Sequence, residues 1–297
     1  MKFWLLLGGT LIVLGTLLFT ITLASVGWDF TALDGNMYEH KTHTFGEDIT
    51  NISIDTVTAD INILPLDEGE PRAVCYENSK VTHTVTFDNQ GNLSIVTNDQ
   101  QKWYDRIFSF GRAHITLYLP TGTYANLSID NTSGDVRVAS GFTFAQMDIS
   151  ITTGDVSISA SALTEMNIST TTGDISLRGA TANTITLKTT TGDTELQDIT
   201  THDLTSHGTT GDLDMERVIA TGNMYVKRGT GDVEFEACDA AYISIETTTG
   251  DIEGSLLTSK TFHTHTTTGD VRVPLGTTGG NCKLSATTGD ITIHIKQ

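Results

Sequence analysis

The sequence predicts an all-β protein, a parallel and right-handed β-solenoid of 19–20-residue coils that follows an N-terminal transmembrane helix and a β cap. Three observations predict it: a Gly-Asp pair recurs every 19 or 20 residues, apolar and polar residues alternate around each pair, and the first residues are apolar and uncharged. A fixed period of about 20 residues is typical of a solenoid, in which each coil packs on its neighbours. The predicted corners are Gly134, Asp135, Gly154, Asp155, Gly173, Asp174, Gly192, Asp193, Gly211, Asp212, Gly231, Asp232, Gly250, Asp251, Gly269, Asp270, Gly289 and Asp290.

Residues 1–28 are predicted to be a membrane anchor. The run from Trp4 to Gly27 has no charged residue and is long enough to span a bilayer as a helix. Lys2 precedes the run and two acids follow it, so the positive-inside rule places the N-terminus in the cytoplasm and the rest outside. The alternative is a cleaved signal peptide, which normally has a shorter apolar core. The sequence favours a single-pass protein of the cell membrane, with residues 29–45 as a linker.

Residues 46–125 are predicted to hold a degenerate first coil and the cap. Ile52–Ile63 follow the phase of the repeat, with Ala59 in place of the corner glycine. Two alternating segments, Val81–Phe87 and Leu93–Val96, flank a Gly-containing loop and predict a hairpin, and His114–Leu119 predicts another strand. The aromatic segment Lys102–Phe108 is expected to cover the end of the core, and a contact with lipid or peptide is the alternative.

Each coil in residues 126–297 is predicted to hold two strands, one before and one after its Gly-Asp corner. Period-two alternation on both sides of the corner indicates strands with one buried face, and parallel connections are almost always right-handed. Ile291–Lys296 is expected to be the terminal strand, with Lys296 discouraging further pairing. A further inward position is expected six residues after the Asp, at Ala180, Ile199, Val218, Cys238 and Leu257.

Charge and cysteine content exclude several classes of function. The net charge of −19 and the pI near 4.6 argue against binding to nucleic acid or anionic lipid by the domain after the anchor. Divalent cations and cationic peptides or polymers remain as partners. Three cysteines do not make a disulfide framework. Cys238 and Cys282 are expected to be core residues, and Cys75 has no predicted role.

The stacked corner acids have a structural and a functional interpretation. In the structural one, which we favour, each Asp accepts hydrogen bonds from N–H groups of the turn, while the glycine adopts a positive φ. In the functional one, Asp155, Asp174, Asp193 and Asp212 bind Ca²⁺, which needs six to eight oxygen ligands. His263 and His265 are weaker candidates for a metal, with Ser244, Glu246, Lys283 and Ser285 expected beside them in adjacent coils.

No catalytic residue, cofactor site or zinc-ligand spacing is predicted, so the protein is expected not to be an enzyme. The rival hypothesis is a polysaccharide lyase or hydrolase, because solenoids host such enzymes and an outward column of acids occurs in successive coils. The column consists of Glu195, Asp214, Glu234 and Glu253.

The chain resembles the bacterial putative-adhesin family, a domain of unknown function with β-strand repeats. The Ser/Thr-Gly-Asp-Val/Ile corners, the segment Ile52–Ile63 and the strand Ile115–Pro120 carry the resemblance, which covers about residues 45–297. It implies a cell-envelope protein, often anchored by one helix, and supplies no catalytic residues. We therefore expect a non-catalytic, membrane-anchored, adhesin-like or envelope-sensing surface whose partner is an envelope glycan, a cationic peptide or a protein. A Ca²⁺-dependent structural module is the other alternative.

Overall fold

The computed structural model describes residues 2–25, 27–28, 38–46, 48–100, 113–275 and 278–296. These residues form one helix and a series of strands that confirm the all-β class. The elements are α1 (Lys2–Ser25), β1 (Glu39–Thr44), β2 (Asn51–Thr58), β3 (Asp60–Pro65), β4 (Arg72–Glu77), β5 (Val81–Phe87), β6 (Asn92–Asp99), β7 (His114–Leu119), β8 (Gly122–Ser133), β9 (Val136–Val138), β10 (Phe142–Thr153), β11 (Val156–Ile158), β12 (Ser161–Thr172), β13 (Ile175–Arg178), β14 (Thr181–Thr191), β15 (Thr194–Gln197), β16 (Thr200–Thr210), β17 (Leu213–Glu216), β18 (Ile219–Thr230), β19 (Val233–Thr249), β20 (Ile252–Leu256), β21 (Lys260–Thr268), β22 (Val271–Arg272), β23 (Gly280–Thr288) and β24 (Ile291–Ile295).

The coils stack in parallel and form two sheets that meet at the Gly-Asp corners. The pre-corner sheet contains the longer strands, such as β12, β14 and β16, and each pairs in parallel with its counterpart one coil away. The post-corner sheet contains the shorter strands, such as β13, β15 and β17, with the same parallel pairing. The predicted parallel β-solenoid is therefore confirmed.

The core lies between the two sheets. Inward residues of both sheets are almost fully buried, for example Ile175 and Leu177 after the corner and Ile185 and Leu187 before it. Burying an aliphatic side chain of this size contributes about 1.5–3 kcal/mol. Because each coil supplies such residues at the same places, the core extends along the stack as one continuous cluster.

The prediction of an inward residue six positions after the corner Asp is confirmed in four coils and is wrong in the fifth. Ala180, Ile199, Val218 and Cys238 are buried there, whereas Leu257 is 44% exposed and Leu256 takes its place. Cys238 pairs with Leu256 across a register shift. Each of the four preceding coils has a residue with positive φ at the bend before this position. The coil of β20 has no such residue, so its inward residue comes one position earlier in the sequence. The positive-φ residues are Gly179, Asp198, Arg217 and Ala237.

At the N-terminal end, the order of the coils in space differs from their order in the sequence. Strand β2 lies between β6 and β8, and β3 lies between β7 and β9, so the degenerate coil is covered by a later segment. Strand β5 pairs antiparallel with β6, which confirms the predicted hairpin, and β4 pairs antiparallel with β7. These antiparallel strands end the solenoid at this side.

Part of the predicted linker 29–45 is a strand. Residues 39–44 form β1, which pairs antiparallel with β4 at the outer edge of the post-corner sheet. The sequence did not reveal this strand because its side chains are mostly polar and exposed, with no alternation in burial. The aromatic segment Lys102–Phe108 lies outside the described residues.

The C-terminal end also departs from sequence order, and the prediction that Ile291–Lys296 ends the stack is wrong. Strand β23 lies between β19 and β21, and β24 lies between β20 and β22. The last coil supplies fully buried residues, including Cys282, Leu284 and Ile291, whereas the preceding coil exposes Val271. The more apolar coil therefore occupies the inner place, and the more polar coil faces solvent.

The helix α1 is long and apolar enough to cross a membrane. Its segment Leu7–Ser25 has a mean hydropathy of 2.0, and it is the one such helix among the described residues. Membrane anchors and signal sequences share these properties.

Candidate functional site

The Gly-Asp corners stack into a ladder of carboxylates. The corner glycines have φ between 126° and 149°, and a Cβ on Gly173 would overlap the carbonyl oxygen of Gly154 in the neighbouring coil. Each corner Asp donates its backbone N–H to Oδ1 of the corner Asp in the adjacent coil, at 2.7–3.0 Å. The order along the ladder is Asp60, Asp135, Asp155, Asp174, Asp193, Asp212, Asp232, Asp251, Asp290 and Asp270.

This arrangement gives the corner acids a structural use. Hydrogen bonds to a charged acceptor contribute about 1.5–3 kcal/mol each and offset repulsion between stacked carboxylates. One oxygen of each candidate Ca²⁺ ligand, Asp155, Asp174, Asp193 and Asp212, is thereby already occupied by a backbone donor. Binding of Ca²⁺ to this ladder stays a prediction.

His263 and His265 lie on β21, at the outer edge of the pre-corner sheet. Their neighbours are Lys283 and Ser285, as expected. The expected contacts with Ser244 and Glu246 are wrong, because β23 separates β21 from β19. Both histidines are exposed, and Glu246 forms an ion pair with Lys283 at 2.9 Å.

An acidic groove of about 560 Å³ runs along the outer face of the post-corner sheet. The register places Glu195 beside Asp214, Asp214 beside Glu234, and Glu234 beside Glu253. A second column adds Glu216 and Glu236. We call the surface formed by these six side chains the acidic groove.

Internal partners satisfy half of the acids in the groove. Arg178 donates to both carboxylate oxygens of Glu195, at 2.7 and 2.8 Å. Glu216 accepts a hydrogen bond from Gln197 and also pairs with Arg217. Glu236 pairs with Lys296 at 2.9 Å. Lys296 follows β24, which lies between β20 and β22, so it is not a charge on a terminal strand.

The other half of the groove is unpaired. Asp214, Glu234 and Glu253 are exposed and make no hydrogen bond or ion pair with any residue in the described part of the chain. Partial burial, together with the charges of Asp212, Asp193 and Glu195, raises the pKa of Asp214 above its usual value. We call Asp214, Glu234 and Glu253 the acidic triad. It is an uncompensated negative surface that suits a cationic group.

Part of the outer face of the pre-corner sheet has the opposite charge. Lys188, His207 and Lys227 stack in successive coils along a groove of about 540 Å³ that threonines and Arg228 also line. Arg228 is buried, and its Nε and Nη1 have no partner within the described ranges. Burial lowers the pKa of Arg228 to about 10, although Asp193 and Asp212 act in the other direction.

A group of metal-ligand side chains lies inside the capped end. One ligand atom from each of His43, Cys75 and Glu77 lies within 4.8 Å of the others, and His83 lies beside Glu77. This group could not be predicted from the sequence, because its members lie on three strands whose pairing the repeat does not determine. The available signal was Cys75-x-Glu77, which places a thiol and a carboxyl on one face of a strand.

Comparisons with known proteins agree with the fold. The family model described as Toastrack DUF4097 matches residues 49–227 and 211–297. The comparison with curated proteins gave no match.

Several solved structures are similar to this chain, among them the following three. A putative adhesin from Bacteroides fragilis is 16% identical, with 88% of this chain and 99% of that chain covered and a TM-score of 0.49. A putative adhesin from Parabacteroides merdae is 13% identical, with coverage of 73% and 95% and a TM-score of 0.44. A putative lipid binding protein from Parabacteroides distasonis is 13% identical, with coverage of 74% and 97% and a TM-score of 0.42.

Proposed function

Because the chain belongs to the Toastrack DUF4097 family, we propose that it is a non-catalytic binding module of the cell envelope. In this proposal α1 anchors the chain in the cell membrane with the N-terminus in the cytoplasm. The solenoid then stands outside the membrane as an adhesin-like or envelope-sensing surface. Its acidic groove binds a cationic component of the envelope, such as a basic peptide or an amine-bearing polymer.

The acidic triad is the observation that supports this partner. Three neighbouring carboxyl groups are exposed in consecutive coils without a cation from the described chain, although Glu195, Glu216 and Glu236 around them each have a partner. The net charge of −19 adds a long-range attraction for cations. The stacked sheets hold the three side chains at about 4.8 Å intervals, so little order has to be gained on binding.

Binding of an oligolysine peptide to the full chain in detergent tests the proposed groove. We expect Asp214→Asn, Glu234→Gln and Glu253→Gln together to weaken binding about tenfold, since three ion pairs of about 0.5 kcal/mol each are lost. The matched control is Asp55→Asn, Asp130→Asn and Asp148→Asn, which removes the same charge from the outer face of the pre-corner sheet. An equal loss in both variants would show that only net charge matters and would contradict the proposal.

Protease treatment of intact cells tests the orientation. With α1 as an uncleaved anchor, an N-terminal tag stays protected in the cytoplasm and a C-terminal tag is removed from outside. Loss of the N-terminal tag during export would indicate a cleaved signal peptide instead.

A specific observation favours the polysaccharide-cleaving enzyme as second candidate. The raised pKa of Asp214 beside other carboxyl groups is the kind of pairing that glycosidases use for an acid and a base. Incubation with envelope polysaccharides distinguishes the two candidates. If the protein releases products and Asp214→Asn abolishes that release, the protein is an enzyme and the non-catalytic proposal is overturned.

A further inference from the structure

The interior of the capped end brings together two histidines, a cysteine and a glutamate. His43 lies on β1, Cys75 and Glu77 lie on β4, and His83 lies on β5. The antiparallel pairing of β1 with β4 places His43 opposite Ala73 and Lys41 opposite Cys75, so His43 and Cys75 share a face. Strand β5 belongs to the pre-corner sheet through β6 and faces the cluster from the other side. Both sheets therefore contribute to one enclosed cluster.

The distances suit a single metal ion. The ligand atoms of His43, Cys75 and Glu77 all lie within 4.8 Å of one another, and Nδ1 of His83 lies 3.4 Å from Oε1 of Glu77. In a tetrahedral zinc site, bonds of about 2.0–2.3 Å place the ligand atoms about 3.3–3.8 Å apart. His43, Cys75 and Glu77 are near this geometry, whereas His83 lies outside the 4.8 Å group and its side chain has to rotate toward the other three to become the fourth ligand.

The burial of unpartnered nitrogen atoms points to a ligand independently of the distances. The side chain of His83 is fully buried, its Nε2 has no hydrogen-bond partner among the described residues, and its Nδ1 has only the 3.4 Å contact with the Glu77 carboxylate. Nε2 of His43 is likewise buried without a partner. Buried polar groups are nearly always satisfied, so orphaned nitrogens next to a thiol and a carboxylate indicate a missing partner that accepts lone pairs.

The charge balance also fits a divalent ion. Cys75 as a thiolate and Glu77 as a carboxylate carry two negative charges, which one divalent cation neutralises while both histidines stay neutral. Glu77 is buried, and its described contacts are the backbone N–H of His83 at 2.8 Å, Nδ1 of His83 at 3.4 Å and Lys41 at 3.3 Å. Lys41 beside Glu77 adds one positive charge, but its side chain is 59% exposed, so solvent screens it. A closed site of four protein ligands is typical of structural zinc.

We propose that His43, Cys75, Glu77 and His83 form a structural site for Zn²⁺ that ties β1 to β4 and β5. Strand β1 follows the segment that leads from the anchor helix and exposes most of its side chains, so few apolar contacts hold it. A metal bond to His43 fixes this strand on the solenoid. The ion thereby joins the two sheets at the capped end.

Titration of the chelator-stripped full chain with Co²⁺ tests the site. We expect about one Co²⁺ per chain, with the visible bands of a tetrahedral ion and a thiolate-to-cobalt charge-transfer band, and displacement by Zn²⁺. Zn²⁺ also raises the melting temperature, because it binds the folded state. Absence of these bands in the unaltered protein, or binding of Cu²⁺ without Co²⁺ or Zn²⁺, would overturn the proposal without any variant.

Variants identify the ligands. We expect Cys75→Ser to remove the charge-transfer band and His83→Gln to weaken Zn²⁺ binding at least about tenfold. Cys282→Ser, another buried thiol, and His263→Gln with His265→Gln are controls that retain the band. Persistence of the band in Cys75→Ser, or its loss in Cys282→Ser, would contradict the assignment. Circular dichroism establishes that each variant is folded.

Discussion

The backbone N–H of Asp290 donates to Oδ1 of Asp251 at 2.7 Å, across 39 residues of sequence. From the repeat alone, the neighbour of Asp251 in the ladder is expected to be Asp270, 19 residues later. Asp270 instead lies beyond Asp290 and donates to its Oδ1 at 2.8 Å. The ladder thus runs unbroken through the exchanged coils, so the same corner geometry serves neighbours that are one or two repeats apart in sequence.

A designed disulfide tests the exchanged order. Ser244 and Lys283 are register partners on β19 and β23, so Ser244→Cys with Lys283→Cys is expected to form a disulfide on oxidation. Sequence order would instead pair Ser244 with His263, and here two strand spacings of about 10 Å separate them, too far for a disulfide. Mass spectrometry distinguishes the two pairs. A disulfide in Ser244→Cys with His263→Cys, and none in the first pair, would contradict the structure.

Gly173→Ala is expected to lower the free energy of unfolding by about 2–4 kcal/mol, because strained backbone and a collision combine. Its φ is 136°, and a Cβ there would overlap the carbonyl oxygen of Gly154. Gly179→Ala is the control. Gly179 has a φ of 64° but open space around it, so we expect a loss of about 1 kcal/mol from backbone strain alone. If urea denaturation gave the same loss of unfolding free energy for both variants, the close approach of neighbouring corners would be contradicted.

Replacement of Arg228 is expected to stabilise the protein. Arg228 interrupts an inward column that holds Thr189 and Thr247, and Gly208 leaves the space that its guanidinium fills. Gly208→Thr with Arg228→Thr restores the column, where Thr247 donates to a corner carbonyl. We expect a gain of about 1–3 kcal/mol, since a buried charge without full pairing is removed.

Arg137→Thr serves as the control for this change. Arg137 is exposed, so its replacement is expected to alter the free energy of unfolding by less than about 0.5 kcal/mol. Thermal denaturation of both variants gives the comparison. A destabilised Gly208→Thr, Arg228→Thr variant would show that the buried guanidinium has partners that outweigh its desolvation.

The melting temperature of the protein in Ca²⁺ is expected to be no higher than its melting temperature in the same concentration of Mg²⁺. Oδ1 of each corner Asp along most of the ladder already accepts a backbone hydrogen bond, as in Asp155 and Asp174. At about 10 mM, well above the weakest usual dissociation constants of extracellular calcium modules, a true site would raise the melting temperature markedly. A rise that is larger with Ca²⁺ than with Mg²⁺, and that Asp174→Asn reduces, would establish the calcium-dependent module instead.

The period of the sequence determined the coil, its inward residues and its corners, because these depend on alternation and turn chemistry within about 20 residues. The tertiary structure alone decided the order of coils at both ends, where β6 lies outside β2 although it follows it in sequence, and β23 separates β19 from β21. Coils with the same apolar pattern can stack on one another in any order, so the local pattern cannot determine the order of the coils. The order instead depends on which coil gains more from burial at the inner place. The acidic triad and the cluster of His43, Cys75, Glu77 and His83 also depend on which strands become adjacent, and for that reason they emerge only in the folded chain.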